Sequence, residues 1–193
     1  MNQKNEKFAN SQEKRNIELL NDFNQFLNLQ CLEKCPKGHY VDASGVTKNN
    51  QFLNFELKVR NQTLKQKEDG TLYVIGVNEK TNKPYSADTL FLEAHKSSSL
   101  FLDYVMLDYL PMYINFLNDD VVVVYNLLKL NKRYEKEHYR IWSELYQSFE
   151  IADRELLALE DAFIYKKVNN EYKLIYKPNG ERRTKEKVSR VDC

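Results

Sequence analysis

The sequence predicts a single mixed α/β (α+β) domain over residues 1–193, a mixed central β-sheet flanked by helices. Three observations lead there. A chain of 193 residues can bury one sizeable core, whereas two halves would each be marginal. A hydrophobic fraction of 42% beside 30% charged residues is ordinary globular composition and argues against wholesale disorder. Helical and period-two apolar patterns alternate along the chain, with no internal repeat, Gly-rich phosphate loop or heptad pattern.

The elements follow in order. Ile17, Leu20, Phe23 and Leu27 recur at helical spacing and predict a helix over about Gln12–Leu29, broken by Pro36-Lys37-Gly38. His39–Val46 reads as a short strand entering a turn at Ser44-Gly45, with a second turn at Lys48-Asn49-Asn50. Phe52–Arg60 alternates most cleanly. Leu53, Phe55, Leu57 and Val59 point one way, and Asn54, Glu56, Lys58 and Arg60 the other, toward solvent or a cleft. Polar excursions at Asn61–Gly70 and around Pro84 separate two further strands, Thr71–Val77 and Thr89–Ala94.

Ser97, Ser98 and Ser99 are placed to cap a helix carrying Leu100, Tyr104 and Leu107, which Pro111 ends. Met112–Leu117, a turn at Asn118-Asp119-Asp120 and the nearly all-apolar Val121–Leu127 predict two more strands, the second buried on both faces. A long helix is expected from about Lys132 to near Glu160, marked by Ile141, Leu145, Phe149, Leu156 and Leu159. A weak hairpin, Ala162–Val168 and Tyr172–Tyr176, turns at Asn169-Asn170. The core thus spans about 12–127, a C-terminal helical extension about 131–176, and a mobile basic tail about 177–193.

No segment approaches the roughly 18 apolar residues of a membrane span. The first fifteen residues lack a secretory h-region, and three cysteines fit a reducing compartment better than a disulfide framework. A cytoplasmic protein without membrane partners is expected. Net charge is +1, so the whole molecule does not advertise a polyanionic partner, but basic residues gather at Lys129–Arg140 and Arg182–Arg190. Interspersed Glu135, Glu137, Glu181 and Glu186 equally suit a solvated face and a soluble tail.

The chemistry concentrates on Phe52–Arg60. Glu56 and Lys58 share a strand face at a separation of about 7 Å. Asp42 stands one strand earlier, and a hairpin pairing would bring it to Glu56 as a second carboxylate for one divalent cation. Asp42 followed by Glu56-Leu57-Lys58 resembles the PD-(D/E)XK nuclease superfamily, to which restriction endonucleases and Holliday-junction resolvases belong. The resemblance implies a restriction-endonuclease-like core of helix, three strands, helix and strand (αβββαβ). The helix Gln12–Leu29 would open it. Strands near Asp42, at Phe52–Arg60 and at Thr71–Val77 or Thr89–Ala94 would follow, then the helix after Ser97 and the strand Met112–Leu117.

It further implies a metal-dependent endonuclease, a hydrolase of phosphodiester bonds in DNA or RNA. Asp42 and Glu56 would be ligands of Mg²⁺ or Mn²⁺, and Asp42, Glu56 and Lys58 the catalytic set. Arg60 and Lys96 are candidate substrate-binding residues, Lys96 at the phosphate. The sequence departs from the family pattern at Val41, where a proline is usual, and lacks the Gln-rich motif some members carry in the later helix.

Other readings stay open. Cys31, Cys35 and His39 have spacing compatible with three zinc ligands but lack a second half. An active site displaced to Glu93 and Lys96 is a variant of the nuclease reading. Tyr125, Trp142 and Tyr146 suit core packing, with base stacking as the alternative. The rival functions are a non-catalytic nucleic-acid-binding or regulatory protein keeping a nuclease-like sheet, and a structural or interaction protein in which Glu56, Lys58 and Arg60 form an exposed charge ladder. Oligomeric state is open, a homodimer included.

Overall fold

The computed structural model describes residues 14–24, 27–36, 39–78, 81–130, 135–143 and 148–178. The basic tail from Arg182 to Arg190, Tyr146 and the side chain of Trp142 lie outside the described part, as do Gln12, Lys132 and Leu145. The architecture is mixed α/β. A helix, α1 (residues 14–24), is followed by β1 (Leu29–Lys34), β2 (Ala43–Thr47) and β3 (Phe52–Val59). Next come β4 (Gln62–Gln66), β5 (Leu72–Asn78), β6 (Lys83–Ala87) and β7 (Thr89–Glu93), then α2 (Ala94–Leu107). The chain continues through β8 (Leu110–Phe116), β9 (Val121–Asn126), β10 (Glu135–Ser143), β11 (Ser148–Ala158), β12 (Phe163–Val168) and β13 (Glu171–Tyr176). Among the described residues no helix is long and apolar enough to cross a membrane.

The main sheet has the order β1-β2-β3-β8-β9-β12-β13. Every pair is antiparallel except β3 with β8, which run parallel from Leu53↔Leu110 to Val59↔Phe116. A parallel pair needs a crossover, and the chain from β4 to α2 supplies it. Two three-stranded sheets, β4-β5-β6 and β10-β11-β7, accompany the main one.

Period-two side chains divide the core between the sheet's faces. Leu53, Phe55, Leu57, Ile114, Val122 and Val124 pack with Leu20 and Phe23 of α1. Phe23 meets the edges of Tyr165 and Tyr172 at 5.1 Å each, while Asp22 accepts from Lys167 Nζ at 2.7 Å and Tyr172 Oη at 3.1 Å. The opposite face sends Tyr113, Val121, Val123 and Tyr125 into a cluster with Leu90, Leu92, Leu100 and Leu157. Val121–Tyr125 are all buried, as expected of a strand covered on both faces.

Several boundaries differ from the sequence reading. Leu29 begins β1 rather than ending a helix, and Ser44-Gly45 lie inside β2. Gly45 is needed there because a Cβ would sit 3.0 Å from the Cys31 carbonyl of β1 and 3.1 Å from Leu29. The stretches 62–66 and 83–87 are strands pairing with β5, which stands outside the main sheet. Ser97–Ser99 lie within α2. Ser98 and Ser99 bond back to the carbonyls of Ala94 and His95, and Glu93 holds the N-cap position without a side-chain capping bond to the helix. Asp108, in the left-handed conformation (φ 58°), ends α2 before Pro111, which belongs to β8.

The largest correction is the expected long helix after Lys132. Its described part is an antiparallel hairpin, β10 with β11, whose second strand pairs with β7 from Arg154↔Glu93 to Ala158↔Thr89. Tertiary pairing with β7 overrides the helix preference of this Glu- and Lys-rich stretch. By contrast, the turns at Asp119-Asp120 and Asn169-Asn170 form as the residue types indicate. All four residues have positive φ, the conformation a two-residue hairpin connection requires.

Candidate active site

The site is built on β3, whose polar face is not solvated. Asn54 and Glu56 are each 3% exposed, with α2 packed against the strand. Each polar side chain of the strand meets a different partner. Asn54 donates to Asp103 of α2, which also accepts from Tyr40 Oη at 2.5 Å. Glu56 Oε2 lies 3.0 Å from Lys96 Nζ in the first turn of α2. Lys58 Nζ donates to Glu93 Oε1 at the end of β7, also at 3.0 Å. Arg60, just past β3, donates to Asn115 Oδ1 (2.5 Å), the Phe91 carbonyl (2.5 Å) and Tyr113 Oη (2.6 Å).

Asp42 reaches the same place from β2. Its backbone N–H donates to the Phe55 carbonyl, and its Oδ2 accepts the Leu57 N–H at 2.7 Å, so a side chain continues the ladder where β2 begins. This brings Asp42, Glu56 and Lys58 into one locus, with Glu93 and Lys96 interleaved among them. The displaced site imagined at Glu93 and Lys96 is therefore part of the same cluster. Three carboxylates share the space with two ammonium groups.

Burial above all, and then the charge of Asp42, raise the Glu56 carboxyl to about 7, against the pull of Lys96 and Lys58. Glu93 behaves oppositely: burial opposes its charge, yet the neighbouring Lys58 ammonium holds its carboxyl below the usual range. Lys96 is likewise penalised by burial but raised overall by Glu56. The partners in the Glu56–Lys96 pair differ because the Glu56 side chain is 3% exposed and that of Lys96 22%. Glu56 Oε2 and Glu93 Oε2 are both buried without a directed hydrogen bond, although Lys96 stands beside the first.

A hard cation fits this donor set in one way. Mg²⁺ takes oxygen ligands, commonly one or two carboxylates with water completing the shell. Asp42 and Glu56 are the two carboxylates that could offer oxygens, and a cation there would offset the burial and the Asp42 charge that raise Glu56. Among the described residues no group of three or more His, Cys, Asp or Glu side chains is arranged to hold a metal, so a protein-only cage is absent there. Nor does the structure gather Cys31, Cys35 and His39 into such a group. Cys31 contacts Glu33, Cys35 contacts Ser44, and His39 stacks on Tyr40 at 4.4 Å.

Arg60 and Tyr125 both have internal partners, and for Tyr125 this is the core packing expected of it. Arg60 is 9% exposed and consumed by internal hydrogen bonds, with its guanidinium 4.2 Å over Phe91, so it anchors β3 rather than reaching out to a substrate. Tyr125 is fully buried and donates to the Leu157 carbonyl, a packing role. The Asn54–Asp103–Tyr40 chain was missed. Its signal was present: Asn54 shares the Glu56 face at period two, and Asp103 lies seven residues beyond Lys96 on one helix face. Comparison with protein-family models, curated proteins and solved structures returns no match for this chain.

Proposed function

We propose that the protein is a divalent-cation-dependent nuclease hydrolysing phosphodiester bonds of DNA or RNA, with Asp42, Glu56 and Lys58 as its catalytic set. One observation carries the reading: Glu56, buried beside Asp42 with its carboxyl raised to about 7, lies next to two ammonium groups on an anchored strand. Burial and the Asp42 charge disfavour the ionised form of Glu56, and a bound cation would stabilise it. The element order supports the reading only in outline. The chain runs α1, β1, β2, β3 and then β4 to β7 before α2 and β8, with β1-β2-β3-β8 adjacent in the main sheet. Leu72–Asn78 and Thr89–Glu93, either of which the resemblance would make the third core strand, pair in the two smaller sheets instead.

Bound Mg²⁺ or Mn²⁺ supplies a water of lowered pKa and a polarised phosphoryl oxygen. The chain's own residues do the rest. Asp42 and Glu56 would hold the cation, Glu56 as its carboxylate. Lys58, leaning on Glu93, offers positive charge to the scissile phosphate. Lys96 balances Glu56 when the cation is absent.

A second reading has its own support. The Glu56–Lys96 and Lys58–Glu93 pairs already match charge with charge, as in a protein that binds nucleic acid or a protein partner without catalysis. Hydrolysis of labelled single- and double-stranded DNA and RNA with Mg²⁺, Mn²⁺ or chelator separates the two. Cleavage should require the cation, and Asp42→Ala, Glu56→Ala and Lys58→Ala should each remove most of it, with double variants hardly worse than single ones. Full activity in Glu56→Ala overturns the assignment.

A further inference from the structure

The candidate catalytic Lys58 also lines a second feature, a cleft of about 790 Å³ between the β4-β5-β6 sheet and β7. Its size is that of a pocket for a small organic ligand. Among the described residues lining it there is no Asp or Glu, while Lys58, Arg60 and Arg154 all are. These three cations lie at the cleft wall although the whole chain is nearly neutral, Lys58 with Glu93 beside it.

The cleft is also built to hold an aromatic group in place. Tyr85 of β6 lies opposite Gly76 of β5, and a Cβ on Gly76 would come within 2.8 Å of the tyrosine ring. Glycine thus lets the ring lie down on the neighbouring strand. From β4, Gln62 Nε2 donates to Tyr85 Oη at 2.7 Å, leaving the tyrosine's own proton for another acceptor. Tyr85 remains 41% exposed, so this fixed ring still has surface to offer.

Gln62 itself is 7% exposed and its Oε1 has no partner, an unsatisfied buried amide at the cleft wall. The other aromatic, Phe91, already carries the guanidiniums of Arg60 at 4.2 Å and Arg154 at 5.1 Å from its ring centroid. Tyr85 is the platform that remains.

We infer that this cleft takes one unpaired nucleotide of a substrate strand, its base against Tyr85 and the Gln62 amide and its phosphate toward Lys58 and Arg154. The inference rests on the nuclease reading for its substrate class and deepens it, since an unpaired base can enter the cleft and a base inside a duplex cannot. Lys58 is shared by cleft and site, which sets the captured nucleotide beside the phosphate to be cut.

The test is fluorescence anisotropy of the full-length protein in chelator, with a labelled 12-nucleotide single strand, the same strand in a blunt duplex, and AMP as competitor. The single strand should bind more tightly than the duplex. Val77→Trp, on a half-exposed residue at the cleft wall, and Tyr85→Ala should each weaken it about tenfold. Gly76→Ala, which displaces the Tyr85 ring, should do likewise, whereas Leu174→Trp, on the exposed face of distant β13, should not.

Circular dichroism of each variant confirms that the fold persists. Equal affinity for single strand and duplex, or undiminished binding in folded Val77→Trp and Tyr85→Ala, overturns the inference. Capture of AMP without the strand overturns it in favour of a free nucleotide. Because cation is absent, strand capture lost in Val77→Trp supports the cleft even if no cleavage is ever found. Cleavage without cleft-dependent capture leaves the nuclease reading standing and removes only the cleft.

Discussion

Replacing Glu56 by Gln isolates the electrostatic tension in the site. Burial and Asp42 raise this carboxyl to about 7, against 4.5 in an unfolded chain. At about 1.4 kcal/mol per unit, the shift corresponds to roughly 3 kcal/mol, and a side chain 3% exposed leaves little water to screen it. Near pH 4 the group is protonated in both states and costs nothing. Between about pH 4.5 and pH 7 the unfolded chain ionises while the folded one keeps its proton, so stability falls as pH rises. Above about 7 the whole loss is present. The neutral amide escapes it, so Glu56→Gln should match the wild type near pH 4 and exceed it by roughly 3 kcal/mol at about pH 8. Urea denaturation followed by far-ultraviolet circular dichroism at successive pH values gives this difference directly. A gap that stays constant, or that narrows as pH rises, refutes the reasoning.

Other outcomes follow from the same geometry. Leu57→Ala should lower stability by about 2–5 kcal/mol in the same denaturation assay, since Leu57 is 2% exposed in the α1-facing core. Asp42→Asn keeps an acceptor for the Leu57 N–H but removes the charge, so carbon-detected NMR titration should find the Glu56 carboxyl below about 7. Arg60→Met should cost about 1.5–3 kcal/mol through the charged hydrogen bonds lost at Asn115, Tyr113 and the Phe91 carbonyl, measured by urea denaturation.

What the residues declared in advance was mostly period and turn chemistry. The alternation at Phe52–Val59 fixed which residues face α1, and four valines marked Val121–Asn126 as central. Asn169-Asn170 and Asp119-Asp120 marked hairpin turns because few other residues tolerate positive φ. Depth was not legible. Nothing in Asn54 or Glu56 reveals that α2 lies over them, since burial of a polar face depends on partners such as Asp103 and Lys96 from distant sequence. β1 was invisible because Leu29–Lys34 mixes charge with apolar residues on an edge strand. In the stretch read as a long helix, Ile141, Leu145 and Phe149 mimic helical spacing, and only pairing with β7 reveals β11 as a strand.

The site was legible as a motif and not as a network. Asp42 and Lys58 stand near enough to Glu56 for their charges to act on it, while the pairing of Glu93 with Lys58 and of Lys96 with Glu56 needed three-dimensional proximity. Arg60 shared the strand's polar face yet turned inward, because Asn115 and the Phe91 carbonyl wait there to receive it.

The central claim is that Asp42 and Glu56 together take up a divalent cation. Isothermal titration of Mn²⁺ or Mg²⁺ at about pH 6.5, in two buffers of different ionisation enthalpy, tests it most directly. Because Glu56 titrates near 7, binding should release a fraction of a proton, seen as a buffer-dependent heat. Both binding and release should be lost in Asp42→Asn and Glu56→Gln. Absence of cation binding to the folded wild type, with or without nucleic acid, or binding that survives unchanged in both variants, would contradict the account.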